Sequence, residues 1–166
     1  MTLNISLIPF RKEHISLTFE WIKHPDFQRL FLMRDEPTWD KHIKYFDHIL
    51  NDPTQHVYAI LSESRHVGNC GVKNISVTNK EGELWIYIGD PYMRGKGIGS
   101  CATRLLLARG FNELGLERII VHVADFNIPA RKIYEKLGFI EAPPSHNSNE
   151  WTNRGYNIIY MELKKT

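Results

Sequence analysis

Cysteine is scarce in this chain: Cys70 and Cys101 are the two among 166 residues. Neither stands in a Cys-x-x-Cys or other metal-ligand spacing, so the sequence offers no disulfide framework and no metal site. That usage suits a reducing compartment, and the expected location is the cytoplasm. Long apolar runs are missing as well. No stretch reaches the ~20 residues that a membrane-spanning helix needs. The opening MTLNISLIPFRKEH has neither the apolar core nor the small-residue cleavage site of a secretory signal, so neither secretion nor a membrane partner is expected. An excess of one charge is lacking too: 21 Lys+Arg against 19 Asp+Glu leave a net +2. No basic run is dense enough to track a phosphate backbone, which argues against nucleic acid as a partner.

Repeats, low-complexity tracts and Gly/Ser linkers do not occur, and the apolar share of 42% and charged share of 24% are those of an ordinary globular chain. A chain this long can bury roughly two-thirds of its unfolded surface, and residues 1–166 read as one domain. Periodicity and punctuation then set the elements. Residues 3–8 alternate like a strand. Lys12 to Lys23 reads as a helix ended by His24-Pro25. Thr38 is an N-cap for WDKHIKYFDHIL, in which Trp39, Ile43, Phe46 and Leu50 recur at helical spacing, and Asn51-Asp52-Pro53 stops that run. Three strand-like runs follow at 56–62, 66–77 and 83–89, separated by polar turns, as in an antiparallel meander. Ile98 to Leu114 reads as a helix, 118–124 as a strand rich in β-branched residues, and Pro129 to Leu137 as a helix closed by Gly138. A short strand near Phe139 and a last one over 155–165 complete a mixed α+β order.

The stretch DPYMRGKGIGS is where chemistry first shows. A strand feeding a glycine-rich turn that opens a helix presents unpaired backbone N–H groups and the positive end of the helix dipole to an anion. Glycine at 95, 97 and 99 lets a pyrophosphate approach the main chain. Ser100 adds a hydroxyl, and Arg94 and Lys96 add charge. No Gly-Lys-Ser/Thr ending makes it a P-loop, and the meander before it does not open a dinucleotide-binding unit. RGKGIG resembles the Arg/Gln-x-x-Gly-x-Gly/Ala signature of the GNAT acetyltransferases. Downstream, NIPARKIYEKLGF, with Asn127, Ala130, Tyr134, Gly138 and Phe139, is similar to that family's Asn-x-x-Ala-x-x-x-Tyr-x-x-x-Gly-Phe segment. The two motifs stand in the family's order, about thirty residues apart.

The resemblance implies the GNAT fold, a central, mixed but mostly antiparallel twisted sheet flanked by about four helices. It also implies acetyl-CoA as acetyl donor. By the same likeness the main chain from Arg94 through Gly95, Lys96, Gly97, Ile98 and Gly99 to Ser100 cradles the pyrophosphate, with Ile88, Asn127 and Ala130 also at the donor. The strand over 84–89 is then expected to splay from that over 118–124, leaving backbone groups for the pantetheine arm and the thioester carbonyl.

Acetyl transfer to an amine needs a proton acceptor as the C–N bond forms and a proton donor for the departing thiolate. The resemblance assigns the donor to Tyr134, with a packed core aromatic as the plain alternative. For the base two residues compete. Glu83 begins the fourth strand, where many relatives carry a glutamate. His122 sits in the fifth strand, and an intrinsic pKa of ~6.5 suits a histidine to accept a proton. Glu83 is ranked ahead, and a water chain is an alternative to both.

In the family, the N-terminal helices form a wall of the acceptor site. Here they carry aromatic residues among Arg29, Arg34, Asp35, Glu36 and His42. Aromatic faces stack a base, and Arg or His holds a diphosphate. The segment resembles the branch that acetylates 4-amino sugars on UDP, as in pseudaminic acid biosynthesis. That implies a nucleotide-linked amino sugar as acceptor, with His42 and Arg29 or Arg34 at the nucleotide, and Met33, Phe46 and Trp85 lining the site. A protein N-terminal acetyltransferase resembling the ribosomal-protein alanine enzymes is the rival, and a non-catalytic CoA-binding module is the alternative from another class. Polyamines are less favoured, because a polycation wants a strongly acidic pocket. Trp21, Ile43 and Phe46 are the aromatic and apolar residues expected simply to pack the helices on the sheet. A monomer or homodimer is expected, with the C-terminal strand as an edge available for pairing.

Overall fold

The computed structural model describes residues 2–31, 33, 35–143 and 157–166. The expected strands are present with small boundary shifts: β1 Ile5–Pro9, β2 His56–Ser62, β3 Arg65–Ser76, β4 Glu81–Ile88, β5 Arg118–Ala124, β6 Ile140–Glu141 and β7 Ile158–Lys164, the first two residues of the last expected strand, 155 and 156, lying outside the described residues. They form one seven-stranded sheet in the order β1-β2-β3-β4-β5-β7-β6. Every neighbouring pair is antiparallel except β4 with β5. The C-terminal strand β7 therefore lies between β5 and β6. It is not the free edge that its position in the chain suggested, because the strand that follows α5 folds back outside it.

Among the described residues five α-helices accompany the sheet: α1 Ile15–Ile22, α2 Pro25–Leu30, α3 Trp39–Leu50, α4 Ile98–Ala108 and α5 Ile128–Lys136. The single helix expected over 12–23 resolves into a 3-10 turn at Lys12–His14 and α1. Pro25 does not merely end it. It opens α2, with the His24 ring nitrogen Nδ1 accepting the Asp26 N–H at 3.2 Å, because a proline at the first helical position gives up an N–H that has no intrahelical partner. Thr38 caps α3 as expected, its hydroxyl oxygen accepting the Lys41 N–H. The helix from Ile98 is α-helical to Ala108 and continues as a π-helical turn over Arg109–Glu113.

Strand alternation divides the sheet into two faces. On one, Leu84, Ile86 and Ile88 of β4 and Val121 and Val123 of β5 meet Ile98, Ala102 and Leu106 of α4. On the other, Phe46 and Ile49 of α3 pack with Phe10, Val57 and Ala59, and Trp85 rests against them. The inner face of α3 differs from the expected stripe. Trp39, Ile43 and Leu50 are 43%, 37% and 39% exposed, while His42, Phe46 and Ile49 are buried. His42 tolerates this because its Nε2 lies 3.2 Å from the Ile15 carbonyl and donates to it, and Ile43, expected to pack on the sheet, consequently faces outward. Trp21 packs as expected, on Gly89, where a Cβ would meet the indole at 2.0 Å. No helix among the described residues is long and apolar enough to cross a membrane.

Three of the histidines in this half of the fold pack among aromatic rings. His14, His42 and His66 are each held below the ordinary histidine pKa by burial, and His14 further by the His66 ring, 4.8 Å away. A histidine whose folded pKa is depressed binds a proton more readily in the unfolded chain. The stability present above pH ~6.5 is therefore lost as pH falls toward the folded values. The urea midpoint is expected to be flat from about pH 8 to 7 and to fall between about pH 6.5 and 5. A midpoint that rises or stays constant through that window would contradict the assignment.

Candidate active site

The parallel ladder between β4 and β5 runs from Glu81↔Arg118 to Glu83↔Ile120 and stops. Beyond it β4 stays paired with β3, and β5 with β7, so the two strands diverge as the family resemblance implied. A cleft of about 560 Å³ opens where they part. Leu84, Ile86 and Val123 line it from the strands, Asn127 from the cap of α5 and Ala130 and Tyr134 from that helix, and Phe27, Phe31 and Tyr45 from the helical side. The splay is a passage through the sheet: Tyr134 belongs to the α4 face, while Glu83 and His122 stand on the face covered by α1 to α3.

Glu83 and His122, weighed as rivals from sequence, are partners. Glu83 sits at the last rung of the ladder and His122 two residues beyond its partner Ile120, so both side chains project from the same face. His122 Nδ1 lies 3.1 Å from Glu83 Oε1, and the two side chains are 6% and 10% exposed. Lys73 Nζ approaches the same oxygen at 3.6 Å, and the Asn74 amide donates to Glu83 Oε2 at 3.0 Å. Burial alone would push the Glu83 carboxyl up. The His122 hydrogen bond, the Lys73 charge and the Asn74 amide outweigh it and hold the group below the usual carboxylate range. A carboxylate so held stays ionised and is a poor proton acceptor in its own right. It is suited to orienting and polarising the imidazole.

Tyr134 is buried against Phe139 at a ring distance of 5.4 Å, and burial raises its pKa. The phenol is therefore protonated throughout the neutral range, the state a proton donor requires.

The three alternate glycines have different local reasons. Gly95 and Gly97 lie at φ +72° and +83°, in the left-handed region; a Cβ on Gly95 would meet nothing within 4 Å, and one on Gly97 only Leu3 Cδ1 at 3.6 Å. Gly99 instead faces Ile133 of α5, where a Cβ would come within 3.4 Å of Cδ1. Gly97 is the N-cap of α4, and the first amide to close on it is that of Cys101, so the N–H groups of Ile98, Gly99 and Ser100 have no acceptor inside the helix. Open space, left-handed glycines and three such amides fit a diphosphate. Arg94 donates through Nε to the Ile88 carbonyl at 3.0 Å, which ties the loop to the end of β4 and occupies the Ile88 oxygen. Asn127 caps α5 by accepting the Ala130 N–H at 3.4 Å.

Met33, His42, Phe46 and Trp85 also line the cleft, from the side covered by α1 to α3. His42 is nonetheless neutral in character, bound to a backbone carbonyl among the rings of Phe19, Trp39 and Phe46. The resemblance puts His42 at a nucleotide's phosphates or uridine; its burial favours the uncharged ring, which suits a phosphate poorly. Phe46 stacks on Phe10 at 4.5 Å and is chiefly a core residue. Arg29 is not on the described wall and lies over the Phe126 ring at 5.4 Å. Arg34 lies outside the described residues. Sequence reasoning missed Lys41, Lys73, Asn74 and Tyr87. For Asn74 a signal existed: an asparagine at a break in strand alternation is a natural occupant of left-handed backbone, and its φ is +52°.

Comparison with known proteins agrees with this geometry. A family model described as an acetyltransferase (GNAT) domain matches residues 4–140. The alpha/beta-tubulin-N-acetyltransferase 9 of Homo sapiens is 28% identical over 168 residues, covering 90% of this chain and 79% of that one. The spermidine N-acetyltransferase of Vibrio cholerae, solved with CoA and spermine, shares the fold with a TM-score of 0.83 at 18% identity, over 96% of this chain and 95% of that one. The N-acetyltransferase PseH of Campylobacter jejuni does so with a TM-score of 0.70 at 17% identity, over 98% and 99%. The glycine cradle, the splayed strands and the family match lead to one conclusion: this chain belongs to the GNAT acetyltransferases, with acetyl-CoA as its acetyl donor.

Proposed function

We propose that residues 1–166 form a single N-acetyltransferase domain that acetylates the α-amine of a peptide or protein by direct attack, working in the cytoplasm as a monomer or homodimer. Acetyl-CoA supplies the activated acetyl group. The Glu83–His122 pair accepts the proton that the attacking amine gives up, and Tyr134 Oη holds a proton for the departing sulfur. The observation that carries the acceptor reading is the character of the cleft wall. Phe27, Phe31, Tyr45, Trp85 and Tyr87 make it aromatic, and Arg29 and His42 do not present charge to it. Such a wall suits an apolar side chain beside an α-amine, whose ordinary pKa of ~7.7–8.0 leaves part of it neutral at working pH. The likeness to a tubulin N-acetyltransferase over most of the chain supports the same reading.

A nucleotide-linked amino sugar is the second reading. Trp85 and Tyr87 present rings 5.9 Å apart at 23°, a stack that a base could extend, with Lys41 and Lys73 on the same wall. Polyamines are less suited, since those two lysines offset all but one of the three carboxylates Asp35, Glu36 and Glu83, short of the strongly acidic pocket that a polycation wants. The test is release of CoA thiol with three acceptor sets: peptides with a free or a blocked α-amine, UDP-linked amino sugars, and spermidine. Turnover with free-amine peptides alone is expected. Turnover with the sugar nucleotide alone would establish the second reading, and turnover with spermidine alone would overturn both.

The cradle has its own test. Asparagine tolerates the left-handed region, so Gly97→Asn preserves the backbone while placing an amide side chain at the mouth of the three N–H groups. Losing one hydrogen bond to a charged group weakens binding by ~1.5–3 kcal/mol, or roughly ten- to a hundredfold. Calorimetry should show that loss for acetyl-CoA with the melting temperature nearly unchanged. Unaltered affinity would remove the diphosphate from this turn.

A further inference from the structure

The ladder between β3 and β4 carries an irregularity beside Glu83. Lys73 pairs with Glu83 and Ser76 with Glu81, so Asn74 and Ile75 on one strand face Gly82 alone on the other. This is a β-bulge, with Asn74 in the left-handed region at φ +52°. The Ile75 N–H anchors it by donating to the Thr54 carbonyl at 3.1 Å. In a regular strand, successive side chains point to opposite faces, so Lys73 and Asn74 could not both reach one cross-strand carboxylate. Here both do, Lys73 on Oε1 and Asn74 on Oε2.

We infer that this bulge is a positioning device for the proton acceptor. Asn74 immobilises Glu83 with Oε2 occupied, so that Oε1 is presented to His122 and the carboxylate acts through the imidazole rather than on the amine directly. Asn74 is a positioning residue and stands off the cleft wall. The inference rests on the reading that the Glu83–His122 pair takes the proton. Besides Lys73 of β3, Tyr160 of β7 faces the pair, its ring 4.8 Å from that of His122. Across the cleft stand Lys41 and Tyr45 of α3, Asp35 and Glu36 before it, His42, and the phenols of Tyr87 and Tyr134. None of these contacts Asn74's amide, so its removal acts on Glu83 first.

Two substitutions separate positioning from structure. Glycine accepts φ +52° without strain, so Asn74→Gly keeps the bulge and deletes only the Oε2 donor. The carboxylate becomes more basic, the pair holds its proton more tightly, and the acid limb of the kcat/KM profile moves to higher pH by roughly one unit. KM for acetyl-CoA and the melting temperature stay as they were. Asn74→Asp, near isosteric and negatively charged, should move the limb further the same way. A uniform loss of kcat at every pH, or no change in the limb, would overturn the inference. His122→Asn, run in parallel, separates the two layers. If it keeps wild-type turnover and limb, the pair is not the acceptor and the reading itself falls; if it abolishes the limb while Asn74→Gly leaves it in place, the positioning role alone falls.

Discussion

His122→Asn is expected to lower kcat by a factor of about 10²–10⁴ while leaving acetyl-CoA affinity unchanged. The imidazole is the group in the cleft whose orientation is set by a buried carboxylate, with Nδ1 3.1 Å from Glu83 Oε1. On the proposed reading, that contact leaves Nε2 as the nitrogen to receive the proton. Asparagine keeps a polar side chain of similar reach but cannot accept a proton near neutrality. The acid limb of the profile should vanish with the rate, because the titration that produces it is gone. Glu83→Gln removes the charge that stabilises the protonated ring and is expected to cost less than His122→Asn. The double variant should be no worse than the more damaged single one, since two residues acting as a unit are not additive. Variants that each stay within about threefold of wild type would instead place proton removal on a water chain.

Tyr134→Phe is expected to reduce kcat by a factor of about 10² or more with little change in KM for acetyl-CoA. The substitution leaves the ring and its packing on Phe139 in place, so the hydroxyl alone is tested. Burial keeps that hydroxyl protonated, as a donor to a departing thiolate must be. The plain alternative, a core aromatic without a chemical role, predicts unchanged turnover and a melting temperature within a few degrees of wild type. The two accounts therefore differ in rate and agree in stability, and a variant with wild-type rate and pH profile would end the donor assignment.

The strands were legible because their alternation and β-branched content are local signals, as in HVYAILS, whose limits of 56 and 62 recur in β2. The glycine turn was legible because the N-terminus of a helix and left-handed glycines have few other uses together. What escaped was set by tertiary contact. Pro25 reads equally as the end of one helix and the start of another, and the choice rests on α2 burying Phe27 beside Tyr87. The inner face of α3 turned on whether His42 could find a partner, which the Ile15 carbonyl, 27 positions away, supplies. Glu83 and His122 looked like competitors because separation along the chain hides their adjacency, which only the parallel register of β4 and β5 reveals. Asn74 reaches Glu83 through a bulge, and although the break in alternation near Asn74 is visible in the chain, the cross-strand carboxylate it meets is set by the register of β3 on β4.

The most direct measurement is a crystal structure of the protein with CoA bound. The account predicts the diphosphate on the amides of Ile98, Gly99 and Ser100, and the pantetheine arm between Leu84–Ile88 of β4 and Val121–Ala124 of β5. It places the sulfur within hydrogen-bond reach of Tyr134 Oη, on the path to the Glu83–His122 pair. A sulfur that leaves the splay elsewhere, with Tyr134 still sealed behind core side chains, would contradict it.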